Sequence, residues 1–158
     1  AALFQEAARK KKIMLAVDIP ARSLAVEGDA EKLHLALTNL IENAVIFTDK
    51  NGHVLITAEK LPGYVKISVI DDGIGIPAEA VPRVFDRFYQ VESHLTRRHG
   101  GMGLGLTVAK AMIEMHDGQI WAESVEGKGS NFQILLPIKE EVKTKPRGEN
   151  STLSKPFE

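Results

Sequence analysis

Val65-Lys66-Ile67-Ser68-Val69-Ile70-Asp71-Asp72-Gly73-Ile74-Gly75 begins as an alternating apolar strand and ends on a carboxylate pair beside two glycines. Val54-Leu55-Ile56-Thr57-Ala58 precedes it across a Pro62-Gly63 turn, so the two runs predict a hairpin. Gln119 to Ser124 and Asn131 to Leu136 are predicted strands around the turn Gly127-Lys128-Gly129. Ile13 to Ile19 alternates loosely as a further strand that Pro20 stops. Between these lie helical patterns. Asp29 reads as an N-cap before a stripe of Leu33, Leu35, Leu37, Leu40, Ile41 and Ala44, and Lys50-Asn51-Gly52 makes a turn after it. A second helix is predicted from about Gly103 to His116, ended by Asp117-Gly118. Hairpins require antiparallel pairing, and long amphipathic helices need an apolar surface to cover. The fold class is therefore α/β (α+β): a two-layer α/β sandwich with a mixed, mostly antiparallel sheet and helices on one face.

At 158 residues the chain is long enough for one domain with a sizeable core and too short for two. A net charge of −1 gives no electrostatic reason to expect nucleic acid or an anionic membrane as partner. The absence of cysteine excludes disulfides and thiolate metal sites. No apolar run approaches the roughly 18 residues of a membrane span, and no signal peptide opens the chain. Any membrane anchor is expected outside these residues, and the domain itself is expected in the cytoplasm. Residues 1–12 read as the frayed end of a linker helix, 13–138 as the folded domain, and 139–158 as a disordered polar tail.

Three segments carry chemistry. Asn39-Leu40-Ile41-Glu42-Asn43-Ala44 places two carboxamides four apart on an otherwise apolar helical stripe. Their oxygens suit a hydrated magnesium ion that also binds substrate phosphates; the plainer alternative is two helix-face amides bonded to neighbouring backbone. Asp71-Asp72-Gly73-Ile74-Gly75-Ile76-Pro77 half matches a dinucleotide fingerprint, but acids directly before the first glycine repel a pyrophosphate, and Pro77 and Pro82 leave no long helix behind it. A carboxylate there suits a base amino group, which selects adenine over guanine; an ordinary Asp-Gly turn is the alternative. Gly101-Met102-Gly103-Leu104-Gly105-Leu106 opens a helix whose free N–H groups suit phosphate, although no Gly-Lys-Ser/Thr follows. Gly127-Lys128-Gly129-Ser130 has no helix after it and reads as a hairpin turn.

Together these segments resemble the catalytic and ATP-binding (HATPase) domain of two-component sensor histidine kinases, of the GHKL ATPase superfamily. The first matches that family's asparagine box and the second its first glycine box. Val84-Phe85-Asp86-Arg87-Phe88-Tyr89 is similar to its phenylalanine box, and His99 to Leu106 to its second glycine box. Gly127 to Phe132 resembles the last glycine box, and the likeness spans about Ile13 to Ile138.

The resemblance implies a protein-histidine kinase module that uses ATP and Mg²⁺. Its phosphoryl acceptor would be a histidine on a separate dimerisation domain, and a response regulator would be the onward partner. It implies that Asn43 ligates the metal with Asn39 beside it, and that Glu42 polarises the attacking imidazole. Asp71 would meet the adenine amino group, with Phe47, Gly73, Gly75, Ile76 and Phe88 around the nucleotide. Gly101, Gly103, Leu104 and Gly105 would border the phosphates, and about Tyr89 to Gly100 would form a mobile lid.

Two positions depart from the family pattern. Ile46 stands where a basic residue commonly meets the phosphates, and Gln90 follows Tyr89 where many members have Arg. Lys50, Arg97 or Arg98 are the candidate substitutes. The alternative reading is a nucleotide-sensing, catalytically weak module. An ATPase of the topoisomerase, chaperone or mismatch-repair branch usually has Glu where Asn39 stands, and the long phenylalanine box disfavours a serine-directed anti-sigma kinase. His34, His53, His94, His99 and His116 share no metal-ligand spacing, none sits in a phosphoacceptor pattern, and His116 is assigned to the helix end.

Overall fold

The computed structural model describes residues 2–20, 24–91 and 103–138. The polar tail, the candidate cations Arg97 and Arg98, Gly101, and all of the expected lid except Tyr89 to Val91 lie outside them. The element order is α1 (Ala2–Lys11), β1 (Met14–Asp18), α2 (Ala30–Phe47), β2 (His53–Leu61), β3 (Tyr64–Asp71), α3 (Gly105–Glu114), β4 (Gln119–Val125) and β5 (Gly129–Pro137), with a short 3-10 turn at Val81–Arg83. One five-stranded sheet runs β1-β2-β3-β5-β4. Only β1 and β2 pair in parallel; the other three neighbours are antiparallel. The expected mixed, mostly antiparallel sheet is what forms.

Strand alternation decides which face the helices cover. Val54, Val69, Phe132, Ile134 and Leu136 are buried against Ala36, Leu40, Ala44 and Val45 of α2 and Ala109 and Ile113 of α3. The other face carries polar neighbours such as Glu59 and Lys66, which are paired in register and joined by a 3.0 Å ion pair. The helices thus pack on one face because only that face of β2, β3 and β5 is continuously apolar, whereas β1 is exposed along its length.

Asp29 caps α2, its Oδ1 accepting from the amides of Glu31 (3.0 Å) and Lys32 (3.1 Å). That cap is also tied to the far end of α3. The Asp29 amide donates to Nε2 of His116 at 2.9 Å, while His116 Nδ1 donates to the Met112 carbonyl at 2.6 Å. With Nε2 accepting from a backbone amide, Nδ1 is the nitrogen that carries the donated hydrogen. His116 does belong to the helix end, and it braces α2 as well. α3 is shorter than expected, beginning at Gly105, because Gly103 takes a left-handed φ of 67°. At its other end Asp117, not Gly118, adopts the left-handed turn (φ 56°).

Candidate nucleotide and phosphate site

β3 carries its inward alternation Val65, Ile67, Val69 one step further, to Asp71. That carboxylate is 6% exposed, and its Oδ1 accepts the Gly73 amide at 2.9 Å. Burial pushes its pKa up to about 6; the Gly73 and Ser130 amides pull it down, and the Asp72 charge adds slightly to the rise. Asp72 points the other way. Its Oδ1 accepts the His53 amide and its Oδ2 meets His53 Nδ1, both at 2.7 Å. Burial opposes the charged form of Asp72, but these bonds to His53 outweigh it and hold the carboxyl below its ordinary range. Of the two adjacent acids, only Asp71 is held inside, bonded by backbone amides alone.

α2 is the wall that touches both other segments. At its C-terminal end the Phe47 carbonyl accepts the Ile74 amide at 3.1 Å, and a Cβ on Gly73 would lie 2.3 Å from that carbonyl oxygen. Only glycine allows this approach. One face along, a Cβ on Gly105 would lie 3.4 Å from Oδ1 of Asn39, so the first residue of α3 abuts the first carboxamide. Asn39, Glu42 and Asn43 are all half-buried. Among the described residues neither the Asn39 nor the Asn43 carboxamide has a hydrogen-bond partner, so the alternative of amides satisfied by backbone does not hold there.

The β4–β5 turn completes the floor. Gly127 donates to the Ile74 carbonyl at 2.7 Å, and Ile76 donates to Ser124 Oγ at 2.8 Å. Ser124 Oγ in turn donates to the Gly129 carbonyl at 2.8 Å, with Ser130 Oγ 2.9 Å away. The serine pair was missed in the sequence, although the alternation of β4 and β5 places both on the inward face. Gly75 has φ 67°, and a Cβ there would lie 2.1 Å from the Val125 carbonyl oxygen. Gly75→Ala is therefore expected to cost about 2 kcal/mol or more of folding stability, read as a lower urea midpoint with an unchanged slope.

Other expected residues lie further out. Ile76 packs against the core edge. Phe88 is 73% exposed at φ 60°, its amide donating to the Gly103 carbonyl at 3.2 Å. Leu104 caps α3 and accepts the Val108 amide. Ile46 exposes an apolar side chain at 38%.

Among the described residues no group of three or more His, Cys, Asp or Glu gathers to hold a metal. The neutral oxygens of Asn39 and Asn43, half-buried and without a partner among the described residues, instead fit a hard cation that keeps waters and takes its other ligands from phosphates. No helix among the described residues is long and apolar enough to cross a membrane.

Residues 28–140 match the family described as histidine kinase-, DNA gyrase B-, and HSP90-like ATPase. The sensor histidine kinase WalK of Bacillus subtilis is 44% identical over 138 residues, covering 86% of this chain and 23% of the relative. The chain therefore spans less than a quarter of that protein's length. Among solved structures, the catalytic domain of histidine kinase ThkA superposes with a TM-score of 0.72 at 34% identity, covering 86% of each chain. ThkA in complex with the response regulator TrrA gives 0.69 at 32% identity, covering 86% of this chain and 37% of that one.

Proposed function

Because this chain belongs to the histidine kinase-, DNA gyrase B- and HSP90-like ATPase family, we propose that it is the ATP-binding catalytic domain of a sensor histidine kinase. The observation that carries this reading is the shared wall. About 12 Å of α2 separates Asn39, against the start of α3, from Phe47, against Gly73. A nucleoside triphosphate laid along it has its base at the Asp71 end and its phosphates between the two carboxamides and the α3 N-terminus.

Each residue then has a task. Asp71 accepts a hydrogen from the adenine amino group, and Gly73 and Gly75 let the loop after it pack tightly on the Phe47 and Val125 carbonyls, which fixes the seat for the ring. Asn43, with Asn39 beside it, would hold Mg²⁺, which when bound neutralises phosphate charge. Gly103, Leu104 and Gly105 aim helix-terminal amides at the phosphates. The acceptor is an imidazole nitrogen of a histidine on a separate dimerisation domain. That nitrogen bonds to the γ-phosphorus as the bond to the β,γ-bridging oxygen breaks, and ADP leaves. Glu42 would polarise the imidazole and take its proton. Positioning and electrostatics supply most of the rate in such transfers. The phosphoryl group would pass on to a response regulator, on the cytoplasmic side where ATP is found.

A nucleotide-sensing module without transfer is the second reading, favoured by the apolar surface of Ile46 and by Gln90. Radiolabelled ATP and Mg²⁺, mixed with this chain and the histidine-bearing domain of the same protein, separate the two. Acid-labile label on the histidine is the expected result; nucleotide binding with no label transferred overturns the kinase assignment and leaves the sensor.

A further inference from the structure

Lys11 is the last residue of α1, and its ammonium reaches the final turn of α2. It donates to the carbonyls of Val45 (3.1 Å), Ile46 (2.5 Å) and Thr48 (3.0 Å). The end of a helix leaves such carbonyls without amide partners, and a cation there also meets the negative end of the helix dipole. An ammonium has three hydrogens, so this one is fully engaged. Burial lowers the Lys11 pKa from its ordinary value, opposed in part by the Asp49 charge, as expected for a cation held partly out of water.

The contact is fastened from both sides. Ala8 of α1 is buried at 6%, and the backbone carbonyl of Lys11 accepts the Asn51 amide at 2.9 Å. Phe47 lies between two of the carbonyls that Lys11 holds. Its own carbonyl is left for the Ile74 amide, at 3.1 Å, and for the close approach of Gly73. One side of this turn therefore carries the ammonium, and the other carries the loop that continues from Asp71.

We infer that Lys11 is a positioning residue for the base-recognising half of the site: through its ammonium, α1 sets the last turn of α2 against Gly73 and Ile74. Displacing α1 then loosens the grip on the base while leaving the phosphate end, a further two turns up α2, in place. This role rests on the nucleotide-binding reading above.

The test uses the full chain with two probes, adenosine for the base half and magnesium tripolyphosphate for the phosphate half, plus hydrogen exchange at the Ile74 amide. Lys11→Met is expected to weaken adenosine about tenfold and tripolyphosphate less than about twofold. Ile74 exchange should quicken about tenfold while the Val69 and Phe132 amides keep their rates. Lys11→Arg, which keeps charge and donors, should return both readouts to within about threefold of the original. If the Met variant does not fold, Lys11→Gln, with two donors, should show the same pattern at about threefold. Unchanged adenosine affinity and Ile74 exchange overturn the inference. So do equal losses for both probes with exchange accelerated throughout, which is the signature of general destabilisation. A chain that binds neither probe before any substitution overturns the nucleotide reading and this role with it.

Discussion

Alanine at Asn43 is expected to leave the fold standing and to remove the magnesium-dependent part of ATP binding. Asn43 is half-buried, and no hydrogen bond to another described residue is lost with its carboxamide. Alanine is also the better helix former, by roughly 0.5 kcal/mol, so α2 should gain slightly in stability. The cost falls on the ligand. Altering even the outer-shell partners of a metal site lowers affinity about 10- to 100-fold, so deleting a direct ligand should cost at least about a hundredfold. Titration calorimetry with Mg²⁺, repeated with a chelator, reads this directly. The Asn43→Ala chain should give the same weak affinity in both conditions, whereas the unsubstituted chain should bind far more tightly with the metal. Asn39→Ala should lose less, since Asn39 lies against Gly105 rather than serving as the assigned metal ligand. Affinity that still responds to Mg²⁺ after Asn43→Ala would remove the metal assignment.

Much of the fold was legible because its signals are local. The Asp29 cap, the apolar stripe of α2 and the hairpin of β2 and β3 are written within a few residues of where they act. The start of α3 was placed two residues early, since a run of glycines does not say which of them leaves the helical region. What could not be read locally are contacts made across long stretches of chain. The Asp29–His116 bond joins residues 87 apart, and Lys11 meets α2 from 34 to 37 residues away. No periodicity encodes either. In sequence Lys11 is one of the basic residues Arg9, Lys10 and Lys11 that end α1, and only packing shows that its ammonium turns inward. The site divides the same way. The three segments announced themselves by residue type, but their convergence on α2 is a tertiary fact. One signal was available and unused: the alternation Val65, Ile67, Val69 puts Asp71 on the helix-covered face and Asp72 on the other, which distinguishes the two acids without any family pattern.

Asparagine at Asp71 is expected to weaken ATP and largely erase discrimination against GTP. The carboxylate presents only acceptors to the base, so guanine, with a carbonyl where adenine has its amino group, meets it acceptor to acceptor. In a buried site that mismatch is worth on the order of a hundredfold or more. An asparagine can keep Oδ1 on the Gly73 amide and turn its N–H₂ toward the base, where it suits guanine better than adenine. The ATP-to-GTP affinity ratio should then fall to within about tenfold of unity, and an unchanged ratio would sink this account of base selection. The pH dependence follows from the same burial. With its pKa pushed up to about 6, Asp71 binds its proton more tightly in the folded chain than in the unfolded one. The Asp71 contribution to ligand-free stability is therefore fully present below about pH 4 and is lost as pH rises to about 6, roughly 3 kcal/mol in all. Above that, the buried charge is a standing cost that a bound adenine amino group offsets. ATP affinity should accordingly weaken as pH drops below about 6, up to tenfold per unit, because the proton and the base compete for one carboxylate. Asp71→Asn should abolish that slope, leaving only what the phosphates themselves contribute, and should raise ligand-free stability near neutral pH but not in acid. A variant that loses ATP affinity yet keeps the wild-type pH slope would place the titrating group elsewhere and separate Asp71 from the base.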